Sequence, residues 1–92
     1  MKKPPFKWTD NQAARLLVAA TLDYYGTGAV YRCFVVTAPR ADANTRGGWR
    51  VTLSLVPEQR GKNAWTAALE DCDPHSLAPP LPVDIARARR IS

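Results

Sequence analysis

Ninety-two residues with 46% apolar and 23% charged side chains and a net charge of +5 describe one small globular domain with a modest core. The longest apolar stretch, Leu16 to Ala20, is far short of the ~18–20 residues a spanning helix needs, so no membrane role is expected. Two cysteines, Cys33 and Cys72, make no disulfide framework and read as free thiols of a reducing compartment.

Residues 1–8 read as an N-terminal arm. Met1-Lys2-Lys3 begins like a secretory leader, but Pro4, Pro5, Lys7 and Trp8 interrupt it and no apolar region follows. A cytoplasmic location is therefore expected. The two prolines favour extended backbone, and Phe6 and Trp8 are large enough to anchor the arm.

Thr9-Asp10-Asn11-Gln12 has the residues of a capping box, with Thr at the N-cap and Gln three positions on. Asp10 then falls at the positive end of the helix dipole. Apolar residues at 13, 16, 17, 20 and 24 follow helical spacing, and Ala14, Val18 and Leu22 widen that stripe. Gly26 is suited to end a helix. The pattern predicts a helix over residues 10–25.

Residues 29–37 are rich in β-branched and aromatic types and predict a strand with two largely apolar faces. Tyr31, Cys33 and Val35 share one face, while Val30, Arg32, Phe34 and Val36 share the other. Residues 38–48 have loop composition. Residues 49–56 alternate, with Trp49, Val51, Leu53 and Leu55 inward and Arg50, Thr52 and Ser54 outward. The two runs predict an antiparallel hairpin, 29–37 with 49–56, whose Tyr31 and Trp49 lie beneath the helix and whose Phe34 faces out. Pro57 to Asn63 reads as a turn. Residues 64–69 lean to a third strand, because two strands alone make a weak sheet. Residues 70–92 read as extended chain wrapping the body, with Pro74, Pro79, Pro80 and Pro82 through its first part and a last helical turn or edge strand over 83–92. The fold class expected is α+β, one N-terminal helix on a small antiparallel sheet of two to three strands, in a single domain over 1–92.

The residues assemble no catalytic constellation. His75 is the only histidine, and no nucleophile and orienting group can be paired with it from the sequence. The glycines match no phosphate-binding fingerprint. Cys72-Asp73-Pro74-His75 is half of a zinc motif, and two further ligands are missing. No enzyme, metal or cofactor is expected.

Two surfaces remain as candidates. Residues 1–68 carry a net +6, residues 69–85 a net −4 and residues 86–92 a net +3. Arg32, Phe34 and Arg50 share a sheet face in the expected hairpin, with Arg40 and Arg46 in its loop and Arg87, Arg89 and Arg90 in the tail. An aromatic between arginines suits stacked single-stranded nucleic acid, with the arm and tail adding phosphate contacts. Against this, the chain has no sequence signature of a common nucleic-acid module, and its acidic segment would repel phosphates. The second candidate is a protein interface. Three Trp, three Tyr and two Phe are many for so small a core, and Trp, Tyr and Arg anchor interfaces. Tyr24, Tyr25, Trp65 and Trp8 are its candidates.

In size and in lacking motifs, the chain resembles phage or plasmid accessory proteins that bind and block a host complex, anti-CRISPR proteins among them. The resemblance covers no particular residues. It implies a non-enzymatic protein that docks on and modulates or inhibits a protein or nucleoprotein partner. Direct DNA or RNA binding is the alternative, and homo-oligomerisation through a sheet edge is a third reading.

Overall fold

The computed structural model describes residues 3–55 and 64–80. They form one short helix, α1 (Asp10–Arg15), and five strands: β1 (Thr21–Gly26), β2 (Ala29–Ala41), β3 (Trp49–Leu55), β4 (Trp65–Ala68) and β5 (Cys72–Ala78). The strands make one sheet in the order β4-β3-β2-β1-β5, and every neighbouring pair is antiparallel. This corrects the expected architecture of a long helix on two or three strands.

The helix begins as its residues predict. The Thr9 hydroxyl accepts from the Gln12 backbone N–H at 3.2 Å, and the Gln12 side chain accepts from the Thr9 N–H at 3.0 Å. Such a cap contributes about 1 kcal/mol, yet six residues are too few to hold a helix without tertiary packing. Ala13 and Leu16 supply that packing by entering the core. The helix then stops where the periodicity would carry it on. Leu16 already has an extended ψ of 118°. Leu17 to Ala20 is a tight turn, closed by Ala20 N–H to Leu17 O at 3.2 Å, and Ala19 takes φ 72° there. The sheet imposes this stop: Ala19 N–H donates to Val35 O at 2.7 Å and Val35 N–H to Ala20 O at 2.9 Å. Two sheet hydrogen bonds and burial of the Ala19 methyl group outweigh the ~1–2 kcal/mol cost of a left-handed alanine.

Residues 21–26 are therefore a strand and not the end of the helix. Thr27-Gly28 is a two-residue turn joining β1 to β2, with Gly28 at φ 79°. β2 pairs with β3, as its alternation predicts, with bulges around Thr37. β4 pairs with β3 over Arg50↔Ala68 to Leu53↔Trp65. β5 lies within the stretch expected as coil. It pairs with β1 irregularly, and its Pro74 sits on an edge strand, where a missing backbone donor is tolerated. No helix among the described residues is long and apolar enough to cross a membrane. The turn expected over 57–63 and the ending expected over 83–92 lie outside the described residues.

The main core lies on one face of the sheet. Leu22, Cys33, Val35, Val51, Leu53 and Ala67 are sealed there beneath Ala13, Leu16 and Leu69, with Trp8 and Trp49 packed at the margin. Tyr31, expected beneath the helix, is instead 40% exposed at the far end of this face. The opposite face corrects a second expectation. Phe34 points away from the main core but is only 1% exposed, packed with Ala19, Val36, Val18 and Ala64. Ser54, its cross-strand partner, is also buried.

Candidate functional site

The arm and the β-strand ends build two contrasting hollows. The first is a cleft of about 290 Å³ lined by residues that include Phe6, Trp8, Arg46, Trp49 and Glu70. Its Arg46 and its two indoles are engaged internally. Arg46 reaches Glu70 at 2.6 Å and Asp71 at 2.6 Å, and Lys3 also binds Asp71. The Trp8 indole N–H donates to Cys72 O at 2.6 Å, and that of Trp49 to Asp10 at 3.1 Å. These contacts strap the arm onto the body.

The second hollow is an open groove of about 470 Å³, lined by Tyr24, Gly26, Thr27, Tyr31, Leu55 and Trp65. The hairpin turn places Tyr24 directly opposite Tyr31. β4 brings Trp65 beside Leu53. In a flat sheet β1 and β4 would be about 14 Å apart, three strand spacings. Twist and the reach of two large side chains close that gap, so the Tyr24 and Trp65 rings meet at 5.7 Å, inclined by 69°. Gly26 makes room for both tyrosines: a methyl group there would stand 2.9 Å from the Tyr31 ring and 3.2 Å from that of Tyr24. Burial raises the pKa of the Tyr24 hydroxyl, and the Asp71 carboxylate pushes it the same way. Both effects keep this phenol neutral.

The expected recognition face through Phe34 does not exist among the described residues. Phe34 is sealed and offers no ring for stacking. Arg32 pairs with Asp23 at 3.4 Å and donates to Ser76 O at 3.1 Å. Arg50 pairs with Asp42 at 3.1 Å and donates to the Thr66 hydroxyl at 3.0 Å. The Asn44 backbone N–H, with Arg50, holds the Asp42 carboxyl below its usual pKa. Arg46 is spent on Glu70 and Asp71, as above. Arg40 is exposed on β2 rather than in a loop. Tyr25 stacks edge-on against Phe6 at 4.9 Å, which makes it an anchor of the arm. Arg87, Arg89 and Arg90 lie outside the described residues. The described residues hold seven Lys and Arg against six Asp and Glu, a net of +1. Four of the five net positive charges therefore belong to residues 1–2, 56–63 and 81–92.

Among the described residues, the two cysteines and the histidine are not brought together. Cys33 and Cys72 are free and buried. They sit on strands separated by β1, about two strand spacings apart and beyond the reach of a disulfide. Burial, with Asp23 adding to it, pushes the Cys33 thiol up to about 12, and burial drives Cys72 up as well. Neither is a thiolate at neutral pH. The C-x-x-H spacing falls within β5, where positions three apart face opposite ways. Cys72 is in the core while the His75 side chain is 87% exposed, 3.3 Å from Asp73.

Tyr24 and Trp65 were both legible as interface candidates. Tyr31 and Leu55 were missed as groove residues. The signal for Tyr31 was the two-residue Thr27-Gly28 turn between apolar runs, which by itself places Tyr24 against Tyr31. Comparisons with family models, with curated proteins and with solved structures gave no match for this chain.

Proposed function

We propose that the protein is a non-enzymatic binding protein that docks on a protein or nucleoprotein partner through the Tyr24–Tyr31–Trp65 groove and modulates or inhibits it. The observation that supports this reading is an open aromatic groove whose described lining residues include no charged side chain. Aromatic side chains anchor interfaces because they bury a large area at small entropic cost. The buried, protonated thiols and the exposed His75 add to the case against chemistry. A nucleic-acid reading through Arg32, Phe34 and Arg50 has less support, since that aromatic is buried and those arginines are paired.

The test is affinity capture from the source cell with the wild type and with a Tyr31→Leu/Trp65→Ala double variant that keeps the wild-type circular dichroism. The same partner should be recovered by the first and lost by the second. Undiminished capture by the variant, or catalytic turnover by the purified chain, would sink the reading.

A further inference from the structure

We infer that the group seated in this groove is a methylated ammonium on a side chain of the partner, held by cation–π contact with the rings of Tyr24, Tyr31 and Trp65. The inference rests on the docking reading above and names what the groove receives.

The lining carries the case. Three of its six described lining residues are aromatic, and Leu55 is the only large aliphatic among them. Two of the ring walls stand at 69° to one another, so they form a corner and not a flat stack. A corner of rings surrounds a small rounded cation with negative ring faces, which a plain apolar knob does not require. Charge placement agrees. Arg32 and Arg50 occupy the alternate positions on β2 and β3, on the opposite face of the sheet from Tyr31 and Leu55. There they are held by Asp23 and Asp42. Among the described residues, the groove lining therefore includes no cation to compete for the rings. The net charge of +5 does not forbid a cationic guest, because physiological salt screens exposed charges beyond ~8 Å.

The chemistry also selects among cations. A guanidinium gains most from a planar pair of acceptors such as a carboxylate, which the described lining lacks, and otherwise stacks flat on a single ring rather than filling a corner. A bare ammonium is strongly hydrated and has three protons to satisfy. A methylated ammonium gives up less hydration and presents methyl groups to ring faces. The open mouth leaves room for the methylene stem that carries it.

The test uses the full chain and two small probes, followed by amide and indole N–H chemical shifts. One probe is Nα-acetyl-trimethyl-lysine methyl ester. The other is its neutral isostere, with a tert-butyl group in place of trimethylammonium. The charged probe should bind about tenfold more tightly than the neutral one, the range expected of a partly desolvated cation–π site. It should shift the Tyr31 amide and the Trp65 indole, the latter identified by its loss in Trp65→Phe. In Tyr31→Leu, which keeps an apolar wall but removes a ring face, the preference should shrink severalfold. Equal binding of the two probes, no binding of either, or a preference unchanged in Tyr31→Leu would each overturn the assignment. If partner capture still depends on the groove while the probes show no charge preference, docking stands and the ammonium assignment alone falls. If capture ignores the groove, the docking reading itself is lost.

Discussion

The two hollows on this small sheet use similar aromatic residues in opposite ways. At the arm, Trp8 and Trp49 each donate the indole N–H to a partner within the chain, and Lys3 and Arg46 are locked onto Asp71 and Glu70 beside them. At the far end, Tyr24, Tyr31 and Trp65 line an open groove whose described lining holds no ion pair. The indoles at the arm are tied to the rest of the fold through their N–H groups. Tyr24 and Trp65 pack on the same core, and the 40% exposed Tyr31 keeps ring area in contact with water and so available to a partner.

Because both hollows rest on one core, the largest effect should come from breaking that core. Leu53→Ala removes a fully buried side chain between the two ends and should cost about 3 kcal/mol. The urea midpoint should fall, and both hollows should be lost together. Trp8→Ala attacks one hollow only. It removes the half-buried ring and the bond to Cys72 O, a loss of about 2 kcal/mol. Trp8→Phe, which keeps most of the ring area, should recover about half of it. If Trp8→Ala instead left stability unchanged but abolished partner capture, the assignment of the two ends would be reversed.

The same contrast shows what the amino-acid sequence makes visible. β2 and β3 are legible because alternation and β-branched residues survive any tertiary arrangement. The capping box at Thr9 and Gln12 is legible because it is satisfied locally. The end of α1 is not, since Leu16 to Ala20 is apolar at every period and holds good helix formers. Its stop comes from hydrogen bonds to Val35, a residue fifteen positions downstream of Ala20. The burial of Phe34 is hidden from the sequence for the same reason. Its direction follows from period two, but its cover, Val18 and Ala19, exists only once the helix has been cut short. β5 was hidden by Pro74, which argues against a central strand but is permitted on an edge. Of the groove, the sequence marks the residue types, whereas the meeting of Tyr24 with Trp65 depends on the coiling of four strands.

Asp71 links the two hollows and gives a smaller, two-sided test. Its carboxylate holds Lys3 and Arg46 at the arm, and it also helps burial to raise the Tyr24 pKa at the groove. Asp71→Asn should cost about 1 kcal/mol at low salt, and the difference from wild type should shrink at 1 M salt, as for partly exposed ion pairs. In the same variant the Tyr24 hydroxyl should titrate at lower pH, read from phenolate absorbance against a Tyr24→Phe control. A loss that salt does not touch would mean that the arm is held by its aromatics alone.

The smallest effect on stability should come from the groove residue that matters most to the proposal. Tyr31 is 40% exposed, and leucine retains much of the contact its ring makes with Gly26. Tyr31→Leu should therefore shift unfolding by only about 0.5 kcal/mol, measured by urea titration at constant slope. A residue that served only the fold would lose stability and binding in proportion. A recognition residue separates the two, losing partner capture while the urea midpoint barely moves. A stability loss above about 2 kcal/mol would place Tyr31 with Trp8 among the structural aromatics and remove the distinction between the two ends of the sheet.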